Sequence, residues 1–395
     1  MRVLLFNADY LRFQDWFYGR QPGLRSAPYA TQLAARNASL FGVADFYSRN
    51  FAALGHPAAE LHVNNPWLQS AWAREHGMQV ELIAEETGAE ERRAPPAWLQ
   101  RAAAPLKPML RPLARRIGFS PRLDAQSTEI LLAQIEDFRP DLIINQDIFH
   151  IDTSLMRRIK GIGNPILVGQ VGIEPPRGED FSSYDLMLSQ LPRIVASLRA
   201  RGIAAEVSHL AFEPAILDAL PERSDPDIEV SFVGMVSVDH RKRIALLEAV
   251  ARRFDLKFWG ARPDTLPASS PLHRCYQGEL WGAEMYQVLR RSRITLNSHI
   301  DLAGREAGNM RLFEATGAGA FLLTDFKDNL ETLFAPEREV AAWRSIDDCL
   351  AIIDRYLGDE TGRAAIAQAG QAATLARHTY RHRVSEILQM VQAIR

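Results

Sequence analysis

The sequence predicts an α/β chain made of two doubly wound halves, each built on a parallel sheet. Short apolar runs alternate with amphipathic helical patterns, which is how βα units read. The alternation breaks in a stretch rich in Pro and charge, residues 209–227, and then restarts for a second series. A length of 395 residues suits two or three domains.

In the first half, Val3–Phe6 is a short apolar run that ends in the polar Asn7-Ala8-Asp9-Tyr10, as a buried strand entering a loop does. A long amphipathic stretch, Pro28–Leu54, and apolar runs at Ala59–Val63 and Met78–Ile83 follow. Then come a helix over 124–138, a strand Asp141–Asn145, a helix over 152–160, and strands Pro165–Gln170 and Tyr184–Ser189. The second half begins with strand Ile228–Val233 and continues through helix 239–253, strand Leu256–Trp259, helix 282–291 and strand Arg293–Asn297. Helix 309–317, strand Ala320–Thr324 and helices near 345–357, 359–376 and 380–394 complete it. The expected domains are therefore 1–212, a linker 213–227, and 228–376, with a C-terminal helix in 377–395 crossing back to the first domain. Ligands of such sheets bind in a crevice outside the carboxyl ends of the strands, here expected between the halves.

Residues 84–126 interrupt the first half. A charge run (Glu85, Glu86, Glu90, Glu91, Arg92, Arg93) precedes Trp98, Leu99, Leu106, Met109, Leu110 and Leu113, interleaved with Arg101, Lys107, Arg111, Arg115 and Arg116. Two readings stay open: a helical insertion packed on its own domain, or a peripheral membrane contact through 98–117 that could also cap an acceptor site.

Composition excludes several classes. With 47% apolar and 24% charged residues the chain is not a disordered one. With a net charge of -2 the surface as a whole is not basic, so nucleic acid is not an expected partner. Cys275 and Cys349 are too few for a disulfide framework or a structural zinc site. No apolar run reaches the ~18 residues of a membrane helix, and Met1-Arg2-Val3-Leu4-Leu5-Phe6-Asn7 turns polar too early for a signal peptide. The expected location is the cytoplasm, or the inner face of a membrane if 98–117 makes that contact.

Common catalytic signatures fail. There is no G-x-x-x-x-G-K-[ST], no G-x-S-x-G and no H-E-x-x-H. Gly161-Ile162-Gly163 and Gly317-Ala318-Gly319 lack a third glycine and precede strands, where a dinucleotide loop follows one. His378 and His382 read as a solvated helix face, and Asp225-Pro226-Asp227 as a turn.

The informative stretch is 293–324. A strand ends at Asn297, a polar loop with Gly304 and Gly308 follows, and a helix opens with Asn309 as N-cap and closes at Gly317 before an apolar strand. The helix thus turns its free N–H groups and positive dipole end toward the ligand crevice, where a diphosphate binds. Glu306 in the loop and Glu314 in the helix, in E-x7-E spacing, let one carboxylate reach a sugar hydroxyl and the other a ribose. The blander reading of Arg311 and Glu314 is a surface ion pair at i, i+3. Asn297 and His299, where the strand enters the loop, are candidates for sugar or phosphate contacts. Trp281-Gly282 reads either as core or as a flank for the base.

The run Asn309-Met310-Arg311-Leu312-Phe313-Glu314-Ala315 through Gly319-Ala320-Phe321-Leu322-Leu323-Thr324-Asp325 resembles the C-terminal domain of group-1 glycosyltransferases, closest to the spore-maturation-type (CgeB-like) branch. The resemblance extends to Ser231-Phe232-Val233-Gly234, His240-Arg241-Lys242-Arg243, Gly278-Glu279-Leu280-Trp281-Gly282 and His378-Thr379-Tyr380-Arg381-His382-Arg383. It implies a GT-B fold, two Rossmann-like domains facing a central cleft, with the nucleotide-sugar donor on the C-terminal domain and the acceptor on the N-terminal one. It implies a UDP-, GDP- or TDP-sugar as substrate and no metal or other cofactor. By the same resemblance Glu314 holds the nucleotide ribose and Glu306 the donor sugar. Arg243, with Arg241 or Lys242 as rival and His240 beside them, neutralises the diphosphate, and Gly234 lets the backbone approach it. Loop 298–308 departs from the usual group-1 turn, with Arg305 and Ala307 where small or apolar residues stand.

Breaking a glycosyl–phosphate bond leaves a nucleoside diphosphate with added negative charge, which preorganised N–H groups and arginine stabilise. If configuration is retained, the leaving phosphate can take the acceptor's proton. If it is inverted, a base is needed from the first half, where Asp9, Asp147, His150 and Glu174 stand near strand ends, with Asn7 among the acceptor-side residues. His150 suits that role by its near-neutral pKa, against a capping or core role. The expected partners are the donor and a glycan, glycolipid, small-molecule or protein acceptor. A nucleotide-sugar epimerase and a non-catalytic nucleotide-binding module are the alternatives.

Overall fold

In a computed structural model the described residues are 1–80, 123–148, 150–173, 175, 179–236, 240–261, 263–264 and 266–394. Almost all of the expected insertion 84–126, including the proposed membrane contact 98–117, lies outside the described residues, as does Glu174.

The strands form two sheets. The first contains β1 (Val3–Asn7), β2 (Ala58–His62), β3 (Leu142–Asn145), β4 (Ile166–Gln170), β5 (Leu186–Ser189) and β6 (Ala205–Val207), in the order β2-β1-β3-β4-β5-β6. The second contains β7 (Ile228–Val233), β8 (Leu256–Trp259), β9 (Ser292–Leu296), β10 (Leu322–Asp325) and β11 (Ala341–Trp343), in the order β11-β10-β9-β7-β8. The pairing is parallel: Val3 stands opposite Ala58 and Leu142, and Val230 opposite Leu256 and Ile294. Every residue of β1, β3 and β5 is buried, as expected for strands covered on both faces. In each sheet the strand order reverses once, between β1 and β3 and between β7 and β9. The carboxyl ends of those pairs are where an open parallel sheet binds its ligand.

The chain divides into two compact units. One comprises Met1–Ala35, Gly55–Leu188 and Leu198–Ala204, and the other Arg36–Leu54, Ser189–Ser197 and Ala205–Arg395. In the second, Val230, Phe232, Leu246, Leu247, Phe258, Ile294, Leu296 and Ile353 form the core around the sheet. Each such side chain contributes about 1.5–3 kcal/mol by leaving water. The early segment Arg36–Leu54 joins this unit through Tyr380, at the start of helix Tyr380–Ala393, whose ring lies 5.2 Å from Phe46 and 4.8 Å from Tyr47. Asn50 Nδ2 donates to Glu213 Oε2 at 2.7 Å.

The structure corrects several expected elements. The stretch 28–54 is two helices, Tyr29–Ala38 and Phe46–Ala53, because Leu40, Gly42 and Ala44 adopt positive φ between them. β5 begins at Leu186, since Tyr184 closes a turn by donating its N–H to Phe181 O. The three-residue strands β6 and β11 are too short to show a period. The expected linker holds a short helix, Ala215–Ala219, and Phe212 bridges to Thr379. His378 is buried with Nε2 against Leu333 O at 2.9 Å, whereas His382 completes a capping box with Thr379. The expected solvated helix face is therefore corrected: His378 is buried and His382 half-buried. Asp227 pairs with Arg291, which anchors the turn before β7.

Candidate functional site

The site grows from the carboxyl ends of β7 and β9. After β7 the chain passes Gly234 and enters helix Arg241–Arg253. A Cβ on Gly234 would lie 3.1 Å from the Phe232 ring, so glycine keeps that ring in place. Arg243 rests over the same ring, its Cζ 5.5 Å from the centroid. Its guanidinium donates from Nη1 to Met235 O at 2.7 Å and from Nη2 to Ser298 O at 2.5 Å. One buried cation thereby ties the loop after β7 to the loop after β9. Burial pushes its pKa down, and the negative charges of Asp325 and Asp301 act against that. Of the three cations proposed for the diphosphate, only Arg243 turns inward; Arg241 and Lys242 are exposed. His240 is half-buried at the N-cap of the same helix.

Beyond β9, Asn297 and Asn309 exchange hydrogen bonds, Nδ2 to Oδ1 at 3.2 and 2.7 Å, and Asn297 also donates to Thr324 Oγ1 at 3.0 Å. Asn309 has the backbone of an N-cap for helix Met310–Gly317, but its side chain makes no capping bond. The expected cap is corrected accordingly: the side chain that would occupy a first-turn amide is committed to Asn297, and the helix's positive end carries no such cap at the strand switch. His299 is buried in the loop. Its N–H and Nδ1 meet Asp325 Oδ1 at 3.0 and 2.7 Å, and its Nε2 accepts the Gly308 N–H at 3.3 Å. The Gly308 donor assigns the Nδ1–H tautomer, since a proton on Nε2 would face another proton. Burial works to raise the Asp325 pKa, but the hydrogen bonds from His299 and the charge of Lys327 bring it down to about 2.

Glu314 lies inside the helix and is buried, with Arg311 Nη1 2.8 Å from its Oε2. The pair is not the surface ion pair that its spacing allowed, because Leu312–Gly317 of this helix are all buried. Arg311 also donates from Nη2 to Val233 O, the end of β7, at 3.3 Å. Burial raises the Glu314 pKa, while Arg311 and a hydrogen bond from Tyr286 work the other way.

Glu306 has different partners from Glu314. Its Oε1 accepts the Arg193 backbone N–H at 2.9 Å, and its Oε2 lies 3.5 Å from Arg193 Nε. Arg193 is the second residue of helix Pro192–Ala200, so this carboxylate sits on a helix N-terminus. Trp281 packs edge-on against Phe41 with centroids 5.0 Å apart, within the same unit.

At the carboxyl edge of the first sheet, Asn7 donates to Glu60 Oε2 at 2.6 Å. Asp9 Oδ1 lies 3.3 Å from His62 Nδ1, with both side chains fully buried. Asp147 receives His150 Nδ1 at 2.7 Å on a half-exposed ring. The hydrogen bond to Asp147 raises the His150 pKa, against the smaller opposing effect of burial. The stability from this pair is therefore full below the ordinary histidine pKa of about 6.5 and is lost as pH rises through the higher folded value. Proton NMR is expected to show His150 titrating above that reference and returning toward it in Asp147→Asn. Equal titration in both proteins would remove the pair.

Asp325, Thr324, Tyr286 and Arg193 contact the proposed donor residues without having been read as site residues. Asp325 carried a usable signal, an acid at the carboxyl end of an apolar strand. Arg193, 113 residues from Glu306 in sequence, carried none. Among the described residues, no group of three or more His, Cys, Asp or Glu side chains could hold a metal ion, and no helix is long and apolar enough to cross a membrane.

Residues 241–389 match a family model described as glycosyl transferase-like. No curated protein sequence matches the chain. Among solved structures it is similar to HepE of Anabaena in complex with UDP-glucose, at 12% identity, with all of both chains covered and a TM-score of 0.58. A glycosyltransferase from Rickettsia africae shares 8% identity, covering 100% of this chain and 98% of that one, with a TM-score of 0.55. The lipopolysaccharide outer core galactosyltransferase WaaB shares 13%, covering 100% and 99%, with a TM-score of 0.52. The two parallel-sheet units have the GT-B fold, and family match and fold together support a glycosyltransferase.

Proposed function

We propose that this GT-B chain is a retaining glycosyltransferase of the group-1, spore-maturation-type branch, taking a nucleotide-sugar donor on its second sheet without a metal. One observation carries the reading: the helix Met310–Gly317 begins beside the carboxyl ends of β7 and β9, with its N-cap side chain engaged by Asn297, Arg311 on the Val233 carbonyl, and the buried Arg243 joining both loops. Such a place suits a diphosphate, whose charge grows as the glycosyl bond breaks. In this assignment Arg243 meets the diphosphate, with His240, Asn297, His299 and Asn309 around it. Glu314 holds the ribose, Arg311 orients Glu314, and Glu306 lies nearest the sugar. On the retaining path the glycosyl–oxygen bond to phosphate breaks, the acceptor oxygen bonds the anomeric carbon on the same face, and its proton passes to the leaving phosphate.

A second reading, inversion, is favoured by the Asp147–His150 pair, a positioned base on the first sheet. The anomeric configuration of the product, read by NMR, separates the two; a product opposite to the donor gives the base role to His150. The acceptor is a glycan, glycolipid, small molecule or protein.

Calorimetric titration of UDP, GDP and TDP in EDTA tests the donor site. UDP is the first choice because HepE was solved with UDP-glucose. At least one of the three is expected to bind with EDTA present, and Glu314→Gln to weaken it about tenfold or more, the worth of a hydrogen bond to a charged group. Absence of binding, or an unchanged affinity in Glu314→Gln, overturns the assignment. Turnover of the donor to its epimer with no free nucleotide would indicate an isomerase instead.

A further inference from the structure

We infer that the segment leaving β10, Asp325–Asn329, is a template that holds the donor loop in its binding shape, and that Asp325 and Asn329 are positioning residues for sugar transfer. The inference rests on the donor site proposed above. The segment meets the loop at successive points. Asp325 Oδ1 accepts the His299 N–H and Nδ1. Lys327 Nζ donates to Gly304 O at 2.7 Å, and Asp328 N–H donates to Arg305 O at 2.9 Å. Asn329 Oδ1 accepts the Ala307 N–H at 2.6 Å while its Nδ2 donates to Ala307 O at 3.0 Å. His299, oriented by Asp325, then accepts the Gly308 N–H just before the helix.

These contacts differ in weight. The Arg305–Asp328 ion pair is exposed on both sides, at 83% and 55%, and such pairs contribute little. Ala307 is fully buried, so the paired bonds from Asn329 satisfy a backbone donor and acceptor that water does not reach. Asp325 is itself buried. A twelve-residue loop from Ser298 to Asn309 that had to order itself around each donor would lose conformational entropy at every encounter. Held in advance, it presents the Met310 helix start and Asn309 ready-made.

Asn329→Ala tests this, with Asn329→Asp as the conservative partner, which keeps the acceptor for the Ala307 N–H and loses the donor to its carbonyl. Hydrogen–deuterium exchange without nucleotide is expected to quicken in peptides spanning 298–309 in Asn329→Ala and to remain slow in helix 241–253. The donor KM and the Kd for UDP, or for whichever of the three diphosphates binds, are expected to rise about tenfold with kcat within about twofold, as two lost hydrogen bonds at an ordered loop would give. Asn329→Asp should fall between the two proteins, and it carries the test if the alanine variant does not fold. Unchanged loop exchange overturns the inference, and so does faster exchange with wild-type nucleotide affinity. A wild-type protein that binds no nucleoside diphosphate defeats the donor-site reading instead, whereas wild-type binding left unmoved in both variants defeats only the template.

Discussion

Arg243→Met is expected to lower affinity for the nucleoside diphosphate by about a hundredfold or more and to lower the unfolding midpoint of the second unit. Methionine preserves much of the volume over Phe232 but supplies no donors, so the Met235 and Ser298 carbonyls lose the bonds that join the two loops. Ser298 is buried whereas Met235 is exposed, so it is the Ser298 carbonyl that costs about 1–3 kcal/mol when left without a partner. Each lost hydrogen bond between a guanidinium and a phosphate oxygen costs about 1.5–3 kcal/mol, and two give the hundredfold. The Nε of Arg243 has no hydrogen-bond partner among the described residues. Arg243→Lys keeps the charge as a point and cannot span both carbonyls, so it should lie between the two proteins. Calorimetry and denaturant unfolding measure both effects, and wild-type binding by the methionine variant would remove Arg243 from the site.

Gly317→Ala is expected to destabilise the second unit by about 3 kcal/mol, at the upper end of what overpacking costs. A Cβ there would stand 2.2 Å from Phe212 Cγ and 2.5 Å from both Cδ atoms. Phe212 cannot step aside easily: its N–H donates to His378 O and its carbonyl accepts the Tyr380 N–H. The helix bearing Arg311 and Glu314 must therefore lift, and nucleotide binding should weaken with it. Gly358→Ala is the control, since no atom lies within 4 Å of its added Cβ and it ends a helix at ordinary φ. Denaturant midpoints that move equally for both variants would contradict the packing argument.

The doubly wound pattern was legible because fully buried parallel strands are continuous apolar runs, as β1, β3 and β5 are. β6 and β11 span three residues each and have no period to read. At the site, Asn297, Asn309 and the helix after them could be placed from local signals: a strand end, a polar loop, a capping residue and a closing glycine. What those side chains touch was not local. The Arg311–Glu314 spacing fits an exposed pair and a buried one equally, and packing across Leu312–Gly317 decides for burial. The different partner of Glu306 follows from Arg193, which reaches the loop only through the tertiary fold. Asn329 resembles any turn asparagine in sequence; its two bonds to Ala307 appear only when the loop has folded back beside it.

Because residues 36–54 pack with the helix Tyr380–Ala393, the second unit is assembled from chain segments made far apart in time. Phe46, Tyr47 and Phe51, all buried in the finished molecule, leave the ribosome hundreds of codons before Tyr380. Until then these aromatic rings lack that cover, a window in which a nascent chain invites chaperones or self-association. A fragment expressed from residue 205 onward would miss them altogether and should be less soluble than the intact polypeptide.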